Sequence, residues 1–231
     1  MKNSTSYLLF STLFFILNGI TYGQEACSDL FFSELVFASN QNDLESSSVK
    51  NNFNSSIEIY NPTESSINLN NYIIRLHSLD ADPTDIIPSG FVPSDEVFVI
   101  SNSNATEEIV TETDMFYEGL DFSFHYAIEL INNDTNIDKV GSSNQSIDDF
   151  DISSLQNLSI QRSRLLKHGN PVFMADNFFE EWKVSPNTNL DDLGFHVNAC
   201  NASILFWDGV NSLEPDFEVQ EEFANLIVNG S

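Results

Sequence analysis

Ser55-Ser56-Ile57-Glu58-Ile59-Tyr60-Asn61-Pro62-Thr63 decides the fold. Ile57, Ile59 and Asn61 alternate with Ser56, Glu58 and Tyr60, the period-2 pattern of a strand with two unlike faces. Asn61-Pro62 ends it, because proline donates nothing to a ladder and turns its neighbour away from regular structure. The Asn61 side chain suits a turn that ties its own backbone. Beyond the stop, Ser66-Ile67-Asn68-Leu69-Asn70 resumes and Tyr72-Ile73-Ile74-Arg75-Leu76-His77 reads as the next strand. The expectation is a strand, a proline turn and a returning strand at the centre of an antiparallel β domain.

Upstream, Leu30-Phe31-Phe32-Ser33-Glu34-Leu35-Val36-Phe37 is nearly continuous in apolar residues, so this strand is expected to lie deep. Downstream, Glu96 to Ser101, Ala127 to Ile131, Ile137 to Gly141 and Leu158 to Arg162 read as further strands, with Asn132-Asn133-Asp134 as a hairpin turn. Gly141 ends its strand where a side chain would clash. Ala38 to Asn54, Asn102 to Thr113 and Ser142 to Ser154 are polar and read as loops, the places to look for a contact surface. No window before residue 200 carries a helical stripe. Many short strands joined by turn residues predict an all-β sandwich or barrel, with Tyr60, Phe98 and Trp182 in or beside its core.

The ends differ. Residues 1–23 carry Lys2, an apolar run from Tyr7 to Ile20, and Thr21-Tyr22-Gly23 before the cut, which reads as a secretory signal peptide. The run is short for a membrane span, and no membrane insertion is expected. Asn201 to Ser231 is an acidic tail in which Val219, Phe223, Leu226 and Ile227 share one helical face; it is a short helix or the start of a further domain.

Thirty-five acidic residues against eight basic ones give a formal charge of -27. Each phosphate contact needs a cation, so nucleic acid is excluded as a partner. The chain is expected to be a secreted monomer.

The strand blocks, together with Glu181-Trp182-Lys183-Val184 and Leu193-Gly194, resemble a lamin-tail domain of the secreted bacterial type, over Cys27 to Cys200. The resemblance implies an immunoglobulin-like β-sandwich. Tyr126 stands where it implies an acidic residue. It also implies that the strands of Glu34 and Glu58 lie near one another, which makes these the best candidates for a paired carboxylate. A structural reading competes and is preferred: Glu58 meets Arg75 or Arg162 and orients an edge of the sheet. Asp80 to Asp85 and Asp148 to Asp151 cluster carboxylates, read as solvated loop charge with weak calcium binding as the alternative. His77, His125, His168 and His196 have no metal-ligand spacing, and no nucleophile motif is present, so no catalytic residue, cofactor site or metal site is assigned.

Cys27 and Cys200 are the only cysteines. In an oxidising compartment they are expected to pair and clasp the domain at its ends, against the reading of two separate thiols. The function implied is a non-catalytic module that binds or presents a protein or glycan at the cell surface. The alternative is an accessory or fragment domain of a secreted hydrolase, a nuclease or a larger surface protein.

Overall fold

The computed structural model describes residues 27–37, 53–78, 81–122, 125–142, 152–186, 190 and 192–200. Residues 1–23, read as a signal peptide, the acidic stretch 201–231, Asp148 to Asp151 and most of the loops 38–54 and 142–154 lie outside these residues. The described residues belong to one compact unit that ends at Cys200.

The fold is all-β. In chain order come β1 (Phe31–Val36), β2 (Ser56–Tyr60), β3 (Ile67–Asn68), β4 (Tyr72–Ser78), β5 (Thr84–Ile86), β6 (Phe91–Val92) and β7 (Val97–Ser101). After a short helix α1 (Glu107–Thr111) follow β8 (Met115–Phe116), β9 (His125–Asn132), β10 (Thr135–Val140), β11 (Leu158–Arg162), helix α2 (Phe178–Glu181) and β12 (Trp182–Pro186). The six-stranded sheet runs β12-β11-β1-β2-β7-β8, the four-stranded sheet β10-β9-β4-β5, and β3 pairs with β6. Every pairing is antiparallel except β7 with β8.

The alternation in β2 does what its pattern predicts. Ile57 and Ile59 point into a core that also holds Phe32, Leu35 and Ile160 of the same sheet and Ile74, Leu76, Ile128 and Leu130 of the four-stranded sheet. The two sheets thus share one apolar layer in a sandwich-like arrangement, with Phe98 and Trp182 in it.

Two expectations need correction. The strand after Asn61-Pro62 does not return beside β2. It crosses into the other sheet, where β4 pairs with β9 and β5, while β2 takes β1 and β7 as neighbours. The turn that sends it across is built on the fully buried Asn61 side chain. Its Nδ2 donates to the Ser65, Val92 and Pro93 carbonyls at 2.8, 2.9 and 2.9 Å, and its Oδ1 accepts from Thr63 N at 3.0 Å. Binding its amide to β6 as well as to its own turn fixes the exit direction of the chain. Second, the polar excursion 102–113 contains α1, too short to show a helical stripe. Its Ile109 is buried all the same.

Gly141 has φ +92°, and a Cβ there would stand 2.2 Å from the Tyr126 carbonyl oxygen. Only glycine ends β10 in this way. Cys27 and Cys200 form a disulfide with their Cα atoms 6.0 Å apart, joining the two ends of the described chain.

Candidate functional site

The six-stranded sheet has a second face, away from the sandwich core, and the chemistry gathers there. Its geometry starts at Ser33. The β1–β2 register pairs Phe32 with Ile59 and Glu34 with Glu58, leaving Ser33 as an extra, bulged residue. The bulge lets both Phe32 and Leu35 face the core. It also brings Ser33 and Glu34 together toward Glu58. The resemblance-based expectation that Glu34 and Glu58 pair is met in the register: they are cross-strand partners, which sets their Cβ atoms roughly 5 Å apart.

Both carboxyls are buried, Glu34 at 2% and Glu58 at 1% exposure. Ser159 Oγ donates to Glu34 Oε1 at 2.6 Å, and Gln161 Nε2 approaches Oε2 at 3.3 Å. Ser33 Oγ donates to Glu58 Oε1 at 2.6 Å, and the Gly194 amide donates to Oε2 at 2.7 Å. Gln161 also donates to Asp192 at 3.0 Å, tying a third carboxylate to the group.

Burial outweighs these donors. It raises Glu34 to about 7 and Glu58 to about 8, the latter with help from the Glu34 charge, and Asp192 adds to both. Two carboxyls this close and this dry do not both ionise readily, so near neutral pH the pair retains protons.

The expected salt bridge from Glu58 to Arg75 or Arg162 is not formed, and Glu58 lies on a central strand rather than an edge. Arg75 is bidentate to Asp85, at 2.7 and 2.8 Å. The same contact occupies one carboxylate of the sequence cluster 80–85 read as a calcium alternative. Arg162 is fully buried and bonded to Asp138, with Nη1 donating to Glu181 at 2.8 Å and Nε to the Phe32 carbonyl at 3.1 Å. Its guanidinium lies 4.1 Å from the Trp182 ring centroid. Asp138 accepts from Phe32 N and Asn170 N as well, both at 2.8 Å. This hub ties β1, β10, β11 and the segment before α2 together. Asp138 was not legible beforehand: an aspartate in a strand next to a lysine reads as surface.

A second polar group crosses the four-stranded sheet, where Glu129 meets His77 Nε2 and Lys139 Nζ, each at 2.8 Å. These partners hold Glu129 down at about 2.

Residues 192–200 cover the carboxyl pair. The His196 ring packs edge-on against Tyr60 and Phe31, at centroid distances of 4.9 and 5.8 Å. Tyr60 turns its hydroxyl to Asp95. Burial, then the Arg164 and Arg162 charges, depress His196 to about 4, so it is neutral beside the pair. Leu193 completes a small apolar cluster with Val36, Val99 and Ile109 on this same face. What remains between cover and sheet is a recess of about 20 Å³, room for one water, whose lining includes Glu34, Glu58 and Asp192 together with Arg162, Arg164 and His196.

Among the described residues, no group of three or more His, Cys, Asp or Glu is arranged to hold a metal ion. No helix among them is long and apolar enough to cross a membrane. No protein-family model matches the chain, and no curated protein matches it.

Proposed function

We propose that the chain is a secreted, non-catalytic module of lamin-tail type, an immunoglobulin-like sandwich that binds or presents a protein or glycan at the cell surface. The observation that carries this reading is the state of the carboxyl pair. Glu34 and Glu58 are the strongest acid–base candidates in the sequence, yet their oxygens are engaged by Ser33, Ser159, Gln161 and Gly194 beneath a cover that leaves space for one water. A general acid has to reach a substrate proton within hydrogen-bond distance. Groups spent on the framework leave the surface as the functional part. There, Val172, Met174 and Phe179 stand 64%, 52% and 81% exposed along one segment before β12, apolar side chains open to a partner. The charge of -27 directs such a surface away from polyanions.

The test is a glycan and peptide array probed with the mature protein, with and without calcium, and with a Phe179→Ser variant. Retention of one ligand class, weakened by the substitution, supports the module. Turnover of an arrayed glycan or peptide overturns it, and so does retention of nothing.

A further inference from the structure

The cover over the carboxyl pair is an arch between two anchors. On one side Leu193 is buried against Val36, Val99 and Ile109. On the other, Asn198 Nδ2 donates to the Leu166 carbonyl at 3.2 Å, Ala199 N to the Arg164 carbonyl at 2.8 Å, and Cys200 is bonded to Cys27. Between the anchors, residues 194–197 are held down by the Gly194 amide on Glu58 and by the His196 ring on Phe31 and Tyr60. Gly194 sits at φ +91°, a conformation glycine adopts without strain, at the point where the arch leaves its first anchor.

We propose that residues 194–197 are a proton-controlled cover, closed over the outer face of β1 and β2 while Glu34 and Glu58 hold a proton between them, and opened when both ionise.

The reason is solvation. Each carboxyl has two donors of its own, Ser159 Oγ and Gln161 Nε2 on Glu34, Ser33 Oγ and the Gly194 amide on Glu58. When both ionise, two like charges stand on register partners in a buried site, and the recess beside them has room for one water. The charged groups around it do not help. From the cover's own segment comes Asp192, and from the end of α1 comes Glu112, whose Oε2 would lie 2.3 Å from a Cβ on Gly194. Asp95 faces His196 from the turn before β7. On the cationic side, Arg162 is committed to Asp138 and Glu181. Arg164 lines the recess, half-buried and, among the described residues, with no hydrogen bond to either carboxyl, and Lys183 is the exposed register partner of Gln161. His196 is neutral throughout the neutral and alkaline range. Water therefore has to enter. The arch gives way first, because the contacts described for it between its anchors are the Gly194 amide and the His196 ring, whereas β1 and β2 are fixed by their ladders on both sides. Opening uncovers two carboxylates flanked by the Phe31 and Tyr60 rings, so the exposed chemistry of this face depends on pH.

The experiment is amide hydrogen exchange followed by NMR on the full, disulfide-bonded chain between about pH 6 and about pH 9, corrected for intrinsic base catalysis. The Gly194 amide is the reporter and Ile59, in the core, the reference. The expected result is a fall of about tenfold or more in Gly194 protection with no change at Ile59. In Glu34→Gln, which keeps the hydrogen bond from Gly194 to Glu58, protection persists to the alkaline end; Glu58→Gln serves as the second variant. Constant Gly194 protection in the wild type overturns the proposal. The same fall in Glu34→Gln, or a parallel fall at Ile59, does so too.

Discussion

Ser33 and Arg162 show how single residues set the polar interior. Ser33 is the extra residue of a bulge, and removing that extra place would slide Glu34 out of register with Glu58. Its hydroxyl then satisfies the carboxyl that its own bulge brought near. Arg162 does the comparable work at the hub, where its donors reach Asp138, Glu181 and the Phe32 carbonyl with no exposure to solvent. A buried pair adds little net stability against an apolar replacement, but removing one partner strands the other charge. Arg162→Met is therefore expected to destabilise the domain by about 3–5 kcal/mol, read from urea denaturation. A loss under about 1 kcal/mol would mean that Asp138 does not depend on this arginine. Arg162 stood out in the sequence as one of three arginines; its partner Asp138 did not, because two strands and a loop must fold before it has company.

At the scale of elements, β2 is the strand both halves of the structure rest on. Its register with β1 and β7 buries every one of its residues, Ile57 and Ile59 toward the sandwich core, Ser56, Glu58 and Tyr60 on the other face, where residues 192–200 meet Glu58 and Tyr60. The alternation of types was legible, since period-2 patterning separates the faces whatever lies beyond them. The burial of the polar face was not, because a cover made of residues 192–200 leaves no mark on the strand it covers. The same limit explains the crossing after Pro62: the sequence signals that a strand stops, and only tertiary packing chooses the sheet in which the next one lands. The register has a direct check. Ile59→Asp places a carboxylate among Phe32, Leu35 and Leu130 without a partner, at a cost of several kcal/mol. A soluble variant with a cooperative melt would contradict the register.

At the scale of the molecule, the ends and the charge carry the argument. The disulfide from Cys27 to Cys200 spans a sequence separation of 173, and closing so long a loop is worth up to about 5 kcal/mol in the chain-entropy picture. Mass spectrometry of the unreduced protein should find both thiols consumed in a monomer, and reduction should lower the thermal midpoint; two free thiols in the folded chain would refute the clasp. The pairing was legible from the cysteine count and the strand blocks between them, whereas the proton chemistry needed the register and the cover as well. That chemistry sets the sign of the pH response. Carboxyls held at about 7 and about 8 in the fold keep protons that the unfolded chain gives up from near 4.5. Their contribution is complete below that value and lost as pH rises through the folded values. His196, depressed to about 4, acts in the opposite sense: its contribution is present above 6.5 and lost as pH falls through its folded value. Glu129, held at about 2, loses its contribution only in stronger acid. Above the ordinary histidine range the pair is left to dominate. The deciding measurement is urea denaturation at about pH 6.5 and about pH 8.5, for the wild type and for Glu58→Gln. The wild type should be more stable at the lower pH by about 2 kcal/mol, and the variant should lose most of that difference. Equal stability at the two pH values, greater stability at the higher one, or a variant that responds as the wild type does would contradict a proton-holding pair in the buried face.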